Sequence, residues 1–474
     1  MPRSCSKSRL AWLLMLCAAL PAAFVLAEAQ PEAQPWPPAL PGAVNGVATV
    51  TGPELIQIPD SVKQHVGAPG ASSFVVAKTA PVIDVVYHAP LPSPGINGTG
   101  WSAWGDICVA SDGNVYVGTG DHGPDKDGTA EVFIYRYDPK AKQLTLIAKP
   151  NEIAGMGGAH SSWSKIHARI DEGPDGHIYY IPTFNDGQQA PTMNWPDTHD
   201  GSIIFQYNPK TGENKIVGQL PRHCSTATSQ LDKQRNILYA NLERGGKQDA
   251  LFAFDLSTMQ PIFAGPGGMI SKNRNFAVAK DGSVYYNGKA APHGGNVIGR
   301  YDAVTRTFGP TRSTLPGGGM RATTRQAADG WIYGAAMGPG QLFRYHPGND
   351  EVELLGLDFL DGSYTTVTVL SPDEKYVYYL PGAHGGSWKI GCPVVQYDIA
   401  KKQRKVIAFL RPLFEAKLSY VPNGTYGTKI SADGATLYVN LNGHAADRLR
   451  LEGMNPGGFG LTGLAAIHIP ESER

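Results

Sequence analysis

Apolar and polar residues alternate with period two over short stretches along most of the chain, and the stretches come in pairs closed by turn residues. One phrase recurs: an apolar strand ending in Asp-Gly, then a strand carrying tyrosine. It reads VASDGNVYV (109–117), DEGPDGHIYY (171–180), VAKDGSVYY (278–286), QAADGWIYG (326–334), LSPDEKYVYYL (370–380) and ISADGATLYV (430–439), with a degraded copy, LDKQRNILYANL (231–242), in the gap after the second. Asp-Gly accepts the positive φ of a tight hairpin, so each phrase is a pair of strands, A and B. A second phrase follows: IYRYDPKAKQ (134–143), IFQYNPKTGE (204–213), LFAFDLSTMQ (251–260), IGRYDAVTRT (298–307), LFRYHPGNDE (342–351), VVQYDIAKKQ (394–403) and, at the end, LAAIHIPES (464–472). It supplies strand C and the turn into strand D. Repeats of this length mean radially repeated sheets, so the chain is expected to be all-β, a seven-bladed β-propeller in one domain. The last blade lacks a fourth strand, which GVATV (46–50) or IDVVYHA (83–89) can supply to close the ring.

The ends fall outside this pattern. Arg3, Lys7 and Arg9 precede an apolar run from Leu10 to Ala27 with small residues near its end, which predicts a signal peptide over 1–27 and a periplasmic or secreted protein. A Pro-rich stretch, 28–44, reads as a tether, leaving about 430 residues, 45–474, for the propeller. No later run is long enough to span a bilayer. Formal net charge is +0, and no basic tract is interleaved with aromatics, which argues against a nucleic-acid partner. Cys108, Cys224 and Cys392 are too few for a disulfide framework and read as buried thiols or a metal ligand. Asn97 and Asn423 lie in Asn-Gly-Thr sequons, which matter only in a eukaryotic secretory pathway.

In a propeller blade the B-to-C loops and the connections from D to the next A share one face. Counting from the repeats puts His122, His199, His293, His384 and His444 in B-to-C loops and His160, His167 and His223 in D-to-A connections, against His177 and His346 on the opposite face. Loops on a rigid scaffold are where function collects. Aligned on their tyrosines, the repeats bring Trp104, His167, Ala227, Asn273, Arg321, Thr366 and Thr425 to the start of strand A, with Asp106, Thr228, Arg274, Tyr364 and Tyr426 beside them. Only one of these is a carboxylate, too few for a calcium site. The set instead suits a ligand that brings its own negative charge. Trp104, Arg321, Arg274 and His199 are the expected substrate-binding residues, and the fitting chemistry is β-elimination from a uronic acid: a cation neutralises the carboxylate, a base takes the proton on C-5, and an acid protonates the departing oxygen. The plain alternative for any one histidine is a hydrogen-bonded loop residue.

A second constellation is AHGGSWKIGC (383–392), with His384 and Cys392 at the two ends of a hairpin and His293, in APHGGN (291–296), able to approach. Imidazole and thiolate select zinc, here in a structural role. The alternative is a buried strand cysteine beside glycines that shape turns.

With the repeats, SKIHARI (164–170) and the His384/Cys392 loop, the mature chain resembles the β-propeller polysaccharide lyases, in particular the ulvan lyases. That resemblance implies catalytic roles for His167 and for Arg244 in LERGG, and a structural zinc held by His293, His384 and Cys392. It also implies a tyrosine base on strand A of blade three, where this chain has Thr228. His223, His122 or Tyr426 would then carry the proton. The leading expectation is an exported, monomeric, zinc-stabilised lyase acting on an acidic polysaccharide. The rivals are a propeller that binds glycan or peptide without turnover, and an enzyme resembling streptogramin lyases, which opens a cyclic ester by elimination.

Overall fold

Each Asp-Gly turn is tied by its own aspartate, which explains why the phrase repeats. Asp112 accepts the backbone N–H of Asn114 at 2.8 Å and the Tyr116 hydroxyl at 2.9 Å. Asp175 does the same for His177 at 3.0 Å and Tyr179 at 2.8 Å. One side chain thus fixes the hairpin and anchors the tyrosine that opens strand B. In the degraded copy Asn236 takes the left-handed conformation (φ 59°) that Gly282 takes in the next blade (φ 87°), a substitution asparagine tolerates. At the end of strand C, Asp138, Asn208, Asp255, Asp302 and Asp398 each accept backbone N–H groups two or three residues ahead. These turns lead into strand D.

The computed structural model describes residues 36–92, 100–121, 128–157, 162–184, 199–243, 250–265, 275–287, 296–315, 319–338, 340–446 and 459–474. Residues 36–474 form one compact unit. Its strands make seven sheets, each built on four antiparallel strands in the order A-B-C-D. The first runs from Cys108–Val109 to Gln143–Ala148; the last has Tyr420–Ile430, Thr436–Ala445 and Leu461–His468 as its A, B and C strands. This is the seven-bladed, all-β propeller that the repeats predict. Among the described residues no helix is long and apolar enough to cross a membrane.

The last blade is completed by the N-terminal segment, and it uses both candidates. Val82–Tyr87 pairs antiparallel with Leu461–His468 as strand D, and Val47–Val50 adds a fifth strand outside it. Ile83 and Val85 are fully buried there, each contributing about 1.5–3 kcal/mol of apolar burial. Buried Asp84 locks the register: it accepts the Thr49 hydroxyl at 2.5 Å and Lys142 Nζ at 2.7 Å, and meets His468 Nε2 at 2.9 Å. Burial pushes its pKa up, but bonds from His468, Lys142 and Thr49 outweigh that and hold the carboxyl below its ordinary range. The ordered body starts earlier than position 45, since Leu40 is buried in the core and Trp36 accepts the N–H of Leu91 through its carbonyl.

Between the two closing strands the chain crosses the top of blade six. Val62 packs with Phe359 and Leu360, and Phe74–Val76 adds a parallel fifth strand beside Gln403–Phe409. At the other terminus Glu473 clasps this segment. Its carboxylate accepts the N–H groups of Lys78 (2.7 Å) and Thr79 (3.1 Å) and pairs with Lys405 Nζ at 3.0 Å. Burial opposes its charge, yet the bonds from Lys405, Lys78 and Thr79 leave its pKa lowered.

The connection from blade five to blade six carries Tyr364 and Thr366 and turns around Asp358. That carboxylate accepts the N–H groups of Phe359 (2.7 Å) and Ser363 (2.8 Å) and the Thr365 hydroxyl (2.6 Å). Burial nevertheless pushes its pKa up to about 7.

Two predictions follow from these anchors. Replacing Glu473→Ala leaves the Lys78 and Thr79 N–H groups without their acceptor and removes the carboxylate partner of Lys405, and should lower stability by roughly 1 kcal/mol in urea unfolding. An unchanged midpoint would remove the clasp from the account. For Asp358 the folded pKa exceeds the unfolded one, so the native state holds the extra proton between them and stability falls as pH rises from about 4 to about 7. Asp358→Asn should flatten that part of the stability–pH curve.

Candidate functional site

All seven blades contribute to one cavity at the axis, about 360 Å³ including its open mouth, lined among others by Trp104, Asp106, His167, Arg169, Arg321 and Tyr426. Alternation places the lining residues. Residues two apart on strand A point the same way, so Trp104 with Asp106 and His167 with Arg169 face the axis together.

Blades three and seven depart from plain alternation in the same manner. Each strand A bulges, with a register shift between Thr226 and Ser229 and between Thr425 and Gly427. In blade three the Thr226 hydroxyl bonds the Thr228 carbonyl at 2.8 Å; in blade seven Thr425 bonds the Gly427 carbonyl at 2.9 Å. A bulge re-aims the residue at its apex. That residue is Tyr426 in one blade and Ala227 in the other, and both line the cavity. Ala227 is thus the counterpart of Tyr426. The tyrosine expected in blade three is missing at this apex, and a small side chain leaves open space there.

The mouth is aromatic around one cation. The Arg321 guanidinium lies 5.2 Å from the Tyr364 ring centroid and 5.6 Å from that of Tyr426, with Nε donating to the Tyr364 hydroxyl at 2.5 Å and Nη1 to the Thr366 carbonyl at 3.2 Å. Trp104 touches His167, His384, Tyr426 and Phe459, at centroid distances of 5.6, 5.4, 4.7 and 5.5 Å, and Lys165 Nζ sits 5.1 Å over its ring. His167 is held with Nδ1 3.2 Å from the Ala227 carbonyl. Deeper in, Arg169 donates to Asn275 Oδ1 at 2.7 Å, and Asn275 to the Thr323 hydroxyl at 2.9 Å. Asp106, the one carboxylate among the described lining residues, is bonded to Lys429 and to the N–H groups of Ile107 and Thr428. The cavity therefore presents guanidinium and imidazole groups with hydroxyls and ring faces, a set that recognises anions and hydroxyl-rich rings.

Of the residues singled out from the sequence, His167, Tyr426, Trp104 and Arg321 meet at this cavity. His122, Arg244, Arg274 and His293 lie outside the described residues. His199 is not among the described lining of this cavity. It is fully buried, stacked on Phe184 at 4.7 Å, with Nε2 3.3 Å from the Cys224 carbonyl, and burial lowers its pKa to about 4. It packs as a neutral ring between Phe184 and the Cys224 carbonyl. His223 stands next to it, its N–H on the His199 carbonyl, away from the cavity lining. His444 is buried too, against Gly460.

His384 and Cys392 do not share one centre. His384 faces Trp104, Tyr364 and Tyr426 at the mouth. Cys392 is fully buried in the apolar cluster with Leu410 and Tyr420, where burial pushes its thiol up to about 12. Among the described residues no group of three metal-binding side chains occurs. His293, the third ligand of the expected zinc site, lies outside the described residues.

Counting missed Arg169 and put Asn273 where Asn275 lines the cavity. Arg169 stands two residues after His167 in SKIHARI, so strand alternation was the available signal.

No protein-family model matches the sequence, and no curated protein matches it. Solved structures do. A chain of the mitotic checkpoint complex is similar at 11% identity and a TM-score of 0.48, over 84% of this chain and 99% of that one. The RRP9 WD40 repeats are similar at 7% identity and a TM-score of 0.48, over 80% and 100%. The likeness is confined to the fold.

Proposed function

We propose that the protein binds an acidic polysaccharide at the aromatic and cationic mouth and cleaves it by β-elimination. The supporting observation is the position of Arg321, bracketed by Tyr364 and Tyr426 beside Trp104, His384 and His167. In this reading the sugar ring lies on the aromatic faces, and Arg321 with Arg169 holds the uronate carboxylate. Neutralising that carboxylate acidifies the proton on C-5. A base, Tyr426 or His167, removes it. The electron pair forms the C-4/C-5 double bond as the C-4 to oxygen bond breaks, and the other residue of the pair protonates the departing oxygen. The signal-peptide reading belongs with this proposal, because a polymer of this kind meets its enzyme outside the cell.

Incubation with uronate polymers should produce the ultraviolet absorbance of an unsaturated uronate. Arg321→Ala should lower kcat/KM by about a hundredfold or more, the scale expected for losing a group that stabilises developing charge. Tyr426→Phe should abolish turnover while calorimetric binding remains. Binding without absorbance in the native protein selects a glycan-binding propeller, a reading favoured by the small Ala227 where blade seven carries tyrosine. Neither binding nor turnover would overturn the proposal.

A further inference from the structure

The open space at the top does not end at the axis. A second hollow, about 1150 Å³ including its part open to solvent, lies between the 61–65 segment, the 360–364 connection and the 382–390 hairpin. Tyr364 and His384 line it, and the same two side chains touch Arg321, Trp104 and Tyr426 of the mouth. They form a low shared wall between the two spaces.

Its construction is that of an open trough. Gly382, at φ +86°, could not be replaced without trouble, since a Cβ there would come within 2.6 Å of Ser387 Cα. The hairpin can therefore fold tightly and stay low. His384 follows in the left-handed region at φ 61°, an uncommon conformation for a non-glycine residue. Its ring contacts with Trp104, Tyr364 and Tyr426 hold it at the rim. The remaining lining is mixed, with Leu360, Ala383 and Ile390 beside hydroxyl, amide and charged groups. Lys389 is exposed, with Nζ 6.0 Å from the Trp388 ring centroid and no carboxylate partner among the described residues. His65, Gln64 and Ser61 face it from the N-terminal crossing, and Asp361 is the one carboxylate on the described lining.

Leaving out the part open to solvent, its volume is about 600 Å³, within the ~300–1,000 Å³ typical of small-ligand pockets and more than one sugar ring fills. We propose that this hollow is a second, non-reacting subsite that holds the continuation of an anionic glycan strand whose reacting unit sits at the mouth, with Lys389 as its anion contact. The inference rests on the glycan reading above, and it adds that the ligand is an extended strand gripped on both sides of the Tyr364/His384 wall. The two spaces are adjacent, separated only by the contacts of Tyr364 and His384 with Arg321, Trp104 and Tyr426, which argues for a single ligand. Exposed Lys389 with the hydroxyl and amide groups of Ser61, Ser363 and Gln64 suits an anion rich in hydroxyls, and Leu360, Ala383 and Ile390 offer apolar surface to the faces of sugar rings.

Calorimetry with a uronate disaccharide and a hexasaccharide on the full chain tests it, using native protein, Lys389→Glu, His65→Ala and Arg321→Ala, each checked for native circular dichroism. Native protein should bind the hexasaccharide at least about tenfold tighter than the disaccharide, because the second contact is then intramolecular. Lys389→Glu should erase most of that gain, and His65→Ala part of it, with disaccharide affinity unchanged. Arg321→Ala should weaken both lengths. Equal native affinity for the two lengths, or hexasaccharide affinity untouched in both Lys389→Glu and His65→Ala, overturns the second subsite and leaves the mouth intact. Failure of native protein to bind either length overturns both proposals.

Discussion

Closure of the ring is the constraint on which the other features depend. Without the N-terminal segment the last blade would lack its strand D, and Leu461–His468 would present a row of unsatisfied N–H and C=O groups at its outer edge. Here Val82–Tyr87 zips onto Leu461–His468, and Asp84 bonds across the seam to the outer strand, the C-terminal strand and blade one together. The cavity has lining residues from every blade, so its width and the meeting of Trp104 with Tyr426 exist only in the closed ring. Blade seven and blade one are neighbours only because the seam holds.

The closing segment does more than join ends. Between its two strands of blade seven it crosses blade six, buries Val62 against Phe359 and Leu360, and forms one wall of the top-face hollow. Glu473 clasps the same crossing from the C-terminus. Ring stability and the shape of that face are therefore coupled through one stretch of chain. Asp358 couples them further, since its carboxylate orders the connection that carries Tyr364 to Arg321.

Within this frame the mouth is organised by strand-A bulges in blades three, five and seven, and those of blades three and seven are built alike. Threonine hydroxyls at 226 and 425 bond the backbone two residues on and turn the intervening side chain toward the axis. The two apices differ, Ala227 against Tyr426, and that asymmetry breaks the near-sevenfold symmetry. A cation between two tyrosine rings next to tryptophan then defines a preferred side of the cavity.

Much of the architecture was legible because its causes are local. An Asp-Gly turn, a tyrosine two or three residues on and period-two alternation are set by neighbours in the chain, so the blade count and the facing of Trp104, His167 and Arg321 could be read by counting. Register counting failed where local geometry departs from the repeat. A bulge at 226–229 moves Ala227 into the place sought for a tyrosine, and the start of blade four is offset so that Asn275 lines the axis. Histidine clustering was legible as a pattern, yet the pattern carries no information on which rings are buried: His199 stacks on Phe184 while His384 stands at the rim, although both sit in loops of the same class. Likewise His384 and Cys392 are eight residues apart, but a tight glycine turn sends one to solvent and the strand takes the other into the core. Turns and strand faces depend on contacts within a few residues, whereas burial, partner choice and the joining of the chain ends depend on segments hundreds of residues apart. Those were settled when the ring closed.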